Sequence, residues 1–165
     1  MVFWIIGLSG SGKSFLNNKI HNNLNIKKKK SICIDGDEVR KYITHDLNYS
    51  LSDRKKNSII ISDLCNFLEK KGFIVICSIL SIFKDHQKKN RKKFKKYIQI
   101  FIKSDLKKLT KANTNNVYQS KKHVVGKDIK FPTPYKSDFV LDRDNKKKYA
   151  IINKKIISKI KLKLF

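Results

Sequence analysis

Residues 7 to 14 read Gly-Leu-Ser-Gly-Ser-Gly-Lys-Ser, directly after the apolar run Val2-Phe3-Trp4-Ile5-Ile6. This is the G-x-x-x-x-G-K-[ST] spacing of a phosphate-binding loop, in the strand-to-helix setting such a loop needs. Gly7, Gly10 and Gly12 allow a tight turn around an anion. The loop, with Ser9 and Ser11, then turns its N–H groups toward phosphate oxygens at a helix N-terminus. Lys13 can reach β- and γ-phosphates, and the Ser14 hydroxyl can ligate Mg²⁺. A nucleoside triphosphate is therefore the expected ligand. A second constellation is Asp35-Gly36-Asp37-Glu38-Val39-Arg40. Two carboxylates two residues apart can hold a divalent cation or its waters, and one can take the proton of an attacking hydroxyl. An arginine one turn on can hold the phosphates of a second substrate. Either carboxylate could instead be a plain turn or N-cap residue. Asp53-Arg54-Lys55-Lys56-Asn57 is a third group. Arg54 and Asn57 share a helix face, and a solvated, charged helix start would look the same.

Alternating strand and helix signals must position these residues. Val2–Ile6, Ser31–Ile34, Phe73–Ser78, Tyr97–Ile102 and Asp138–Leu141 are short and apolar, and predict strands. Helices are predicted over Lys13–Asn25, Asp53–Lys71, Asp85–Lys96, Asp105–Ala112 and Ala150–Leu164. The Asp53–Lys71 helix carries Ser52 or Asp53 as N-cap, Ile60, Leu64, Phe67 and Leu68 as its apolar stripe, and Gly72 as its stop. The last helix turns Ile151, Ile152, Ile156, Ile157 and Ile160 inward. The fold class is α/β, three layers around a five-stranded parallel sheet, in one domain spanning 1–165. Ligands then bind beyond the C-terminal strand ends, where Ser9–Ser14, Asp35–Arg40 and Ser78–Lys84 fall. The polar stretch 113–135 reads as a lid over that site, or as an ordinary surface loop.

Composition narrows the class. At 165 residues with 40 % apolar content the chain can bury a core. No apolar run reaches the length of a bilayer span, and no signal peptide is visible, so the expectation is a cytoplasmic protein without membrane contact. Cys33, Cys65 and Cys77 lack metal-type spacing and read as reduced, buried thiols. The formal charge is +26, yet of 39 basic residues only Arg40, Arg54, Arg91 and Arg143 are arginine. Lysines spread along the chain point to compositional bias more than to a nucleic-acid surface. In so arginine-poor a chain an arginine marks planar, bidentate anion recognition.

Taken together, the motifs resemble those of the adenylyl-sulfate kinase family. They run in order: Gly7–Ser14, Asp35-Gly36-Asp37-x-x-Arg40, Leu47-Asn48-Tyr49-Ser50, Asp53-Arg54-x-x-Asn57, Leu80-Ser81, Val117-Tyr118, Gly126-x-Asp128, Pro132-x-Pro134 and Phe139-Val140-Leu141-Asp142. The resemblance covers about residues 2 to 142. It implies a P-loop kinase that transfers the γ-phosphate of ATP to the ribose 3′-hydroxyl of adenylyl sulfate with Mg²⁺, and suggests a homodimer. It implies that Gly7, Ser9, Gly10, Ser11, Gly12, Lys13 and Ser14 hold ATP, that Ser14 and Asp35 serve the metal, and that Lys13, Asp35 and Asp37 are catalytic. Asp37, Arg40, Tyr49, Arg54, Asn57, Ser81, Lys84 and Val124 would form the acceptor site, with Tyr49 stacking on the base. Ser81 matches a serine sometimes described in the family as a phosphorylated intermediate, although direct in-line transfer needs no covalent step.

The departures cluster on the acceptor side. Where the family usually has Pro-Tyr-Arg after the serine, this chain has Ile82-Phe83-Lys84. Where its lid usually carries Lys-Gly-Leu-Tyr-Lys, this chain has Asn115-Asn116-Val117-Tyr118-Gln119. Where a Phe-Thr-Gly usually covers the second face of adenine, this chain has Val124-Val125-Gly126. Tyr49 alone would then clasp the base. That pattern keeps the reaction and opens the acceptor: adenylyl sulfate by default, or cytidine diphosphoramidate, the substrate of relatives that modify surface polysaccharides. A reading from another class makes the charge the message, as a nucleic-acid binder or polynucleotide-end kinase, and predicts a steep salt dependence of binding.

Overall fold

The computed structural model describes residues 1–25, 29–112, 117–120 and 122–163, without the side chains at 119, 120, 146, 152, 153 and 159–163. Strand β1 (Val2–Gly7) is buried along its whole length. A strand of that kind must lie at the centre of a sheet covered on both faces. It pairs in parallel with β3 (Ile74–Ile79) on one side and β4 (Tyr97–Lys103) on the other. Strand β2 (Ser31–Asp35) adds beyond β3, and β5 (Phe139–Asp142) beyond β4, giving the all-parallel order β2-β3-β1-β4-β5.

Side-chain alternation along β1 divides the core. Phe3 and Ile5 face α1 (Lys13–Asn25) through Leu16, Ile20 and Leu24, together with Ile156 of α7 (Lys146–Lys163). Val2, Trp4 and Ile6 face the other way, onto Val39 of α2 (Gly36–Tyr42) and Ile61 and Cys65 of α3 (Leu51–Lys70). The period of two thus builds the expected three layers. A third cluster, Leu8, Ile82, Leu109 and Val125, joins the phosphate loop to α5 (Leu106–Ala112) and to the stretch after α6 (Val117–Ser120).

Several expected boundaries move. Helix α3 begins at Leu51, with Ser50 as the N-cap accepting from the Asp53 N–H, not Ser52 or Asp53. Its buried face is also rotated from the expected stripe: Asn57, Ser58, Ile61, Ser62 and Cys65 face inward. Ile60 and Phe67 are exposed, while Leu64 and Leu68 are partly buried against the core. The cause is α4 (Lys84–Lys93), which packs on α3 through polar pairs: Ser58 with His86 and Ser62 with Asn90. These bonds let small hydroxyl side chains occupy positions that hydrophobicity assigned to Ile and Phe. Helix α4 stops at Lys93 rather than Lys96, and α7 starts at Lys146 rather than Ala150. Ile156 is buried as expected, Ile151 is exposed, and Ile152 and Ile160 lie outside the described side chains. Of the expected lid, 113–116 and 121 lie outside the described residues. Val124 and Val125 are buried, and Tyr118 donates from its hydroxyl to the Ser9 carbonyl at 2.9 Å. Among the described residues no helix is long and apolar enough to cross a membrane.

Candidate active site

The C-terminal ends of β1, β2 and β3 open onto one cavity of about 350 Å³. One end of it is the loop after β1, through Ser9 and Lys13. Gly12 adopts a φ of +96°, which a side chain would strain. A Cβ on Gly7 would lie 2.5 Å from Ser11 Oγ and 3.1 Å from the Ile102 carbonyl, so a side chain there would force the loop to shift. The Ser11 hydroxyl is buried beneath that turn with no hydrogen-bond partner among the described residues. Lys13 opens α1 and folds back, donating from Nζ to the Leu8 carbonyl at 2.9 Å. Burial pushes its ammonium below the usual lysine range, and Asp37 and Asp35 oppose that shift.

Asp35 ends β2 and caps α2. Its Oδ1 accepts from the Asp37 N–H at 2.9 Å, and its Oδ2 accepts from Ser14 Oγ at 2.9 Å and Ser78 Oγ at 2.7 Å. The cap and the catalytic-site readings of this residue are therefore compatible: one oxygen caps while the other faces the phosphate loop. Ser14 and Asp35 together present a hydroxyl and a carboxylate, the hard oxygen donors that Mg²⁺ takes alongside substrate phosphates and water. Among the described residues no cluster of three or more His, Cys, Asp or Glu is present. Ser78 was not singled out in the sequence; its role in fixing Asp35 comes from a neighbouring strand 43 residues away.

The opposite end of the cavity is built from α2, α3 and the segment after α6. The Tyr49 ring has the Arg40 guanidinium 4.8 Å and the Arg54 guanidinium 5.2 Å from its centroid. Arg40 is held by the carbonyls of Leu47 and Asn48 at 3.0 and 2.8 Å. Arg54 donates to Tyr49 O and, across 69 residues, to His123 O, both at 3.0 Å. Burial lowers the Arg54 pKa, and the neighbouring Arg40 charge lowers it further. Two like charges gathered at one wall favour an anion between them. Asn57 is buried and accepts from Thr44 Oγ1 at 2.7 Å. Val124 completes this end.

Ten of the residues expected from the sequence line this cavity: Ser9, Lys13, Asp35, Asp37, Arg40, Tyr49, Arg54, Asn57, Ser81 and Val124. Lys84 does not; it is exposed at the start of α4, and its neighbour Phe83 lines the cavity instead. The cavity thus has a second aromatic, Phe83, besides the expected Tyr49. Lys122 also lines it, a cation that nothing distinguishes among the chain's many lysines. Ser81 is buried at a φ of +41°, and its Oγ accepts from Trp4 Nε1 at 3.3 Å. Arg91 lies away from the cavity and pairs with Asp138 at 3.0 Å.

Behind the cavity, His86 Nδ1 lies 2.8 Å from Ser58 Oγ. Burial, then Lys93 and Lys89, lower its pKa to about 4, with Asp63 opposing. An unfolded histidine takes its proton near pH 6.5, so the folded state refuses a proton that the unfolded state accepts between those values. Folding carries no such penalty above about pH 6.5, and the penalty grows as pH falls toward 4. Thermal melting should therefore drop across that window in the wild type. In His86→Asn the drop should be shallower, as scanning calorimetry would show; equal slopes would remove His86 from the acid response.

Residues 1–142 match the family described as adenylylsulphate kinase. The cytidine diphosphoramidate kinase of Campylobacter jejuni is 31 % identical over 164 residues, covering 94 % of this chain and 95 % of that protein. A probable adenylyl-sulfate kinase of Bacillus subtilis is 29 % identical over 150 residues, covering 87 % of this chain and 75 % of that protein. Among solved structures, the APS kinase of Mycobacterium tuberculosis in complex with AMPPNP and APS superposes with a TM-score of 0.87 at 24 % identity, covering 97 % of this chain and 96 % of that one.

Proposed function

The chain belongs to the adenylylsulphate kinase family, and from that premise we propose that it transfers the γ-phosphate of ATP to the ribose 3′-hydroxyl of a nucleotide acceptor. The observation that carries this is the single cavity joining Lys13, Asp35 and Asp37 to Arg40, Tyr49, Arg54 and Val124. A donor and an acceptor bound at its two ends meet at the carboxylates, as in-line displacement requires. Asp37 takes the 3′-hydroxyl proton as the new P–O bond forms and the bond to the β–γ bridging oxygen breaks. Lys13 offsets charge on the transferred group. Mg²⁺, held by Ser14 and Asp35, would neutralise charge on the β- and γ-phosphates when bound. Arg40 and Arg54 suit the acceptor's anionic linkage, and Tyr49 its base.

Two acceptors fit this chemistry. Adenylyl sulfate follows from the family. Cytidine diphosphoramidate is favoured by Val124, which puts a small aliphatic group at the cavity wall, and by the likeness to the Campylobacter jejuni enzyme over nearly the full length of both chains. We favour the cytidine nucleotide. The test is ATP-dependent transfer to each acceptor side by side, in wild type and in Val124→Phe. The wild type should prefer the cytidine acceptor. The added ring should raise kcat/KM for adenylyl sulfate about tenfold, from the ~1–3 kcal/mol that stacking on a base supplies. Turnover of neither acceptor would sink the proposal.

A further inference from the structure

Helix α3 carries Arg54, Asn57 and Ser58 at positions i, i+3 and i+4, so the three project from one side. All three line the cavity. Arg54 and Asn57 belong to the Asp53–Asn57 motif, whereas the proposed reaction leaves Ser58 unused. Ser58 is only 3 % exposed. A buried hydroxyl needs partners, and this one is fixed from behind by His86 Nδ1 at 2.8 Å. The imidazole is itself held, edge-on to Trp4 with ring centroids 6.3 Å apart at 64°. Trp4 in turn donates to Ser81, another residue of the cavity wall. The result is an oriented hydroxyl in a wall shared with Tyr49 and Val124, where a base would stack.

We infer that Ser58, positioned by His86, recognises the exocyclic amino group of the acceptor's base. The inference rests on the nucleotide acceptor proposed above and adds how its base is read. With the imidazole proton on Nε2, Nδ1 accepts the Ser58 O–H, and the serine oxygen has only lone pairs left to offer the cavity. Lone pairs suit an N–H₂ group and repel a carbonyl. Protonation of His86 would block that arrangement, and its pKa near 4 keeps the ring neutral in neutral solution. Adenine and cytosine each carry such an amino group, whereas hypoxanthine and uracil present a carbonyl at the same place. The hydroxyl therefore excludes deaminated nucleotides, whichever of the two amino bases the cavity takes. Ser58 touches the substrate; His86 is a positioning residue.

The experiment is equilibrium binding of matched nucleotides with the donor site saturated by AMPPNP. The pairs are CDP against UDP, and AMP against IMP, with wild type, Ser58→Ala and Ser58→Thr. Wild type should favour the amino member of at least one pair about tenfold, the worth of one well-made hydrogen bond. Ser58→Ala should bring that ratio to within about twofold, and Ser58→Thr, which keeps the hydroxyl, should preserve it. Melting temperatures recorded in parallel separate recognition from folding. Equal wild-type affinity within both pairs, or no binding of either, overturns the inference. So does a ratio that survives Ser58→Ala while the melting temperature falls, because the Ser58–His86 bond would then only tie α3 to α4. Failure of phosphoryl transfer to both acceptors would remove the proposed reaction, and the binding ratio would still decide the role of Ser58.

Discussion

Lys13→Ala should reduce phosphoryl transfer about a thousand-fold or more with every acceptor, measured as ADP release that depends on the acceptor. The transition state spreads negative charge over the transferred group, and a preorganised cation aimed at it commonly contributes ~10²–10³ or more in rate. Lys13 is placed for that work. It follows the left-handed Gly12, and Asp35 and Asp37 help keep it charged against the cost of burial. Its Nζ donates to the Leu8 carbonyl at 2.9 Å. Losing that single bond should cost the fold only about 1 kcal/mol. A variant melting close to wild type but lacking transfer is the expected pair of results. Retention of a tenth of the activity would place the main phosphate cation elsewhere, with Lys122 the first candidate because it also lines the cavity.

The shape of the phosphate-type loop at one end of this cavity could be read from the sequence because its requirements are local. A glycine at positive φ, a lysine, a serine and a preceding buried strand lie within fourteen residues, and the loop needs nothing distant to take its shape. The strands were legible for a similar reason: continuous apolar runs such as Val2–Ile6 suit only a sheet buried on both faces. Helix α3 was misread because its inner face is partly polar. Ser58 and Ser62 are buried through partners 28 residues away on α4, and hydrophobic periodicity cannot register a hydroxyl that is satisfied elsewhere. The acceptor wall was only partly legible. Arg54 was singled out by scarcity and motif, but its bond to His123 spans 69 residues and depends on how the chain returns over the cavity. Lys84 stands where the resemblance puts an arginine, yet at the start of α4 it is exposed and Phe83 lines the cavity instead.

Asp37→Asn should lower kcat about a hundred-fold while leaving ATP affinity within about twofold, and the contrast with Asp35 explains why. Both Asp35 oxygens are already committed, one to the Asp37 N–H and one to Ser14 and Ser78. A carboxylate so engaged is fixed in place and is poorly suited to accept a further proton. Asp37 is exposed in the first turn of α2 and lines the cavity, and among the described residues no hydrogen bond engages its carboxylate. Its lone pairs are the ones available to an attacking hydroxyl, and general-base assistance is worth ~10²–10⁴ in rate. Asparagine keeps the size and the backbone N–H that Asp35 uses, so the metal-side geometry should survive. Asp35→Asn should behave differently, weakening nucleotide binding and turnover together, because it disturbs Ser14 and the cap of α2 at once. Steady-state kcat and KM for both substrates, with direct ATP binding, distinguish the two patterns. Equal losses of ATP affinity and kcat in Asp37→Asn would assign that carboxylate to donor binding alone and leave the base among the other groups of the cavity.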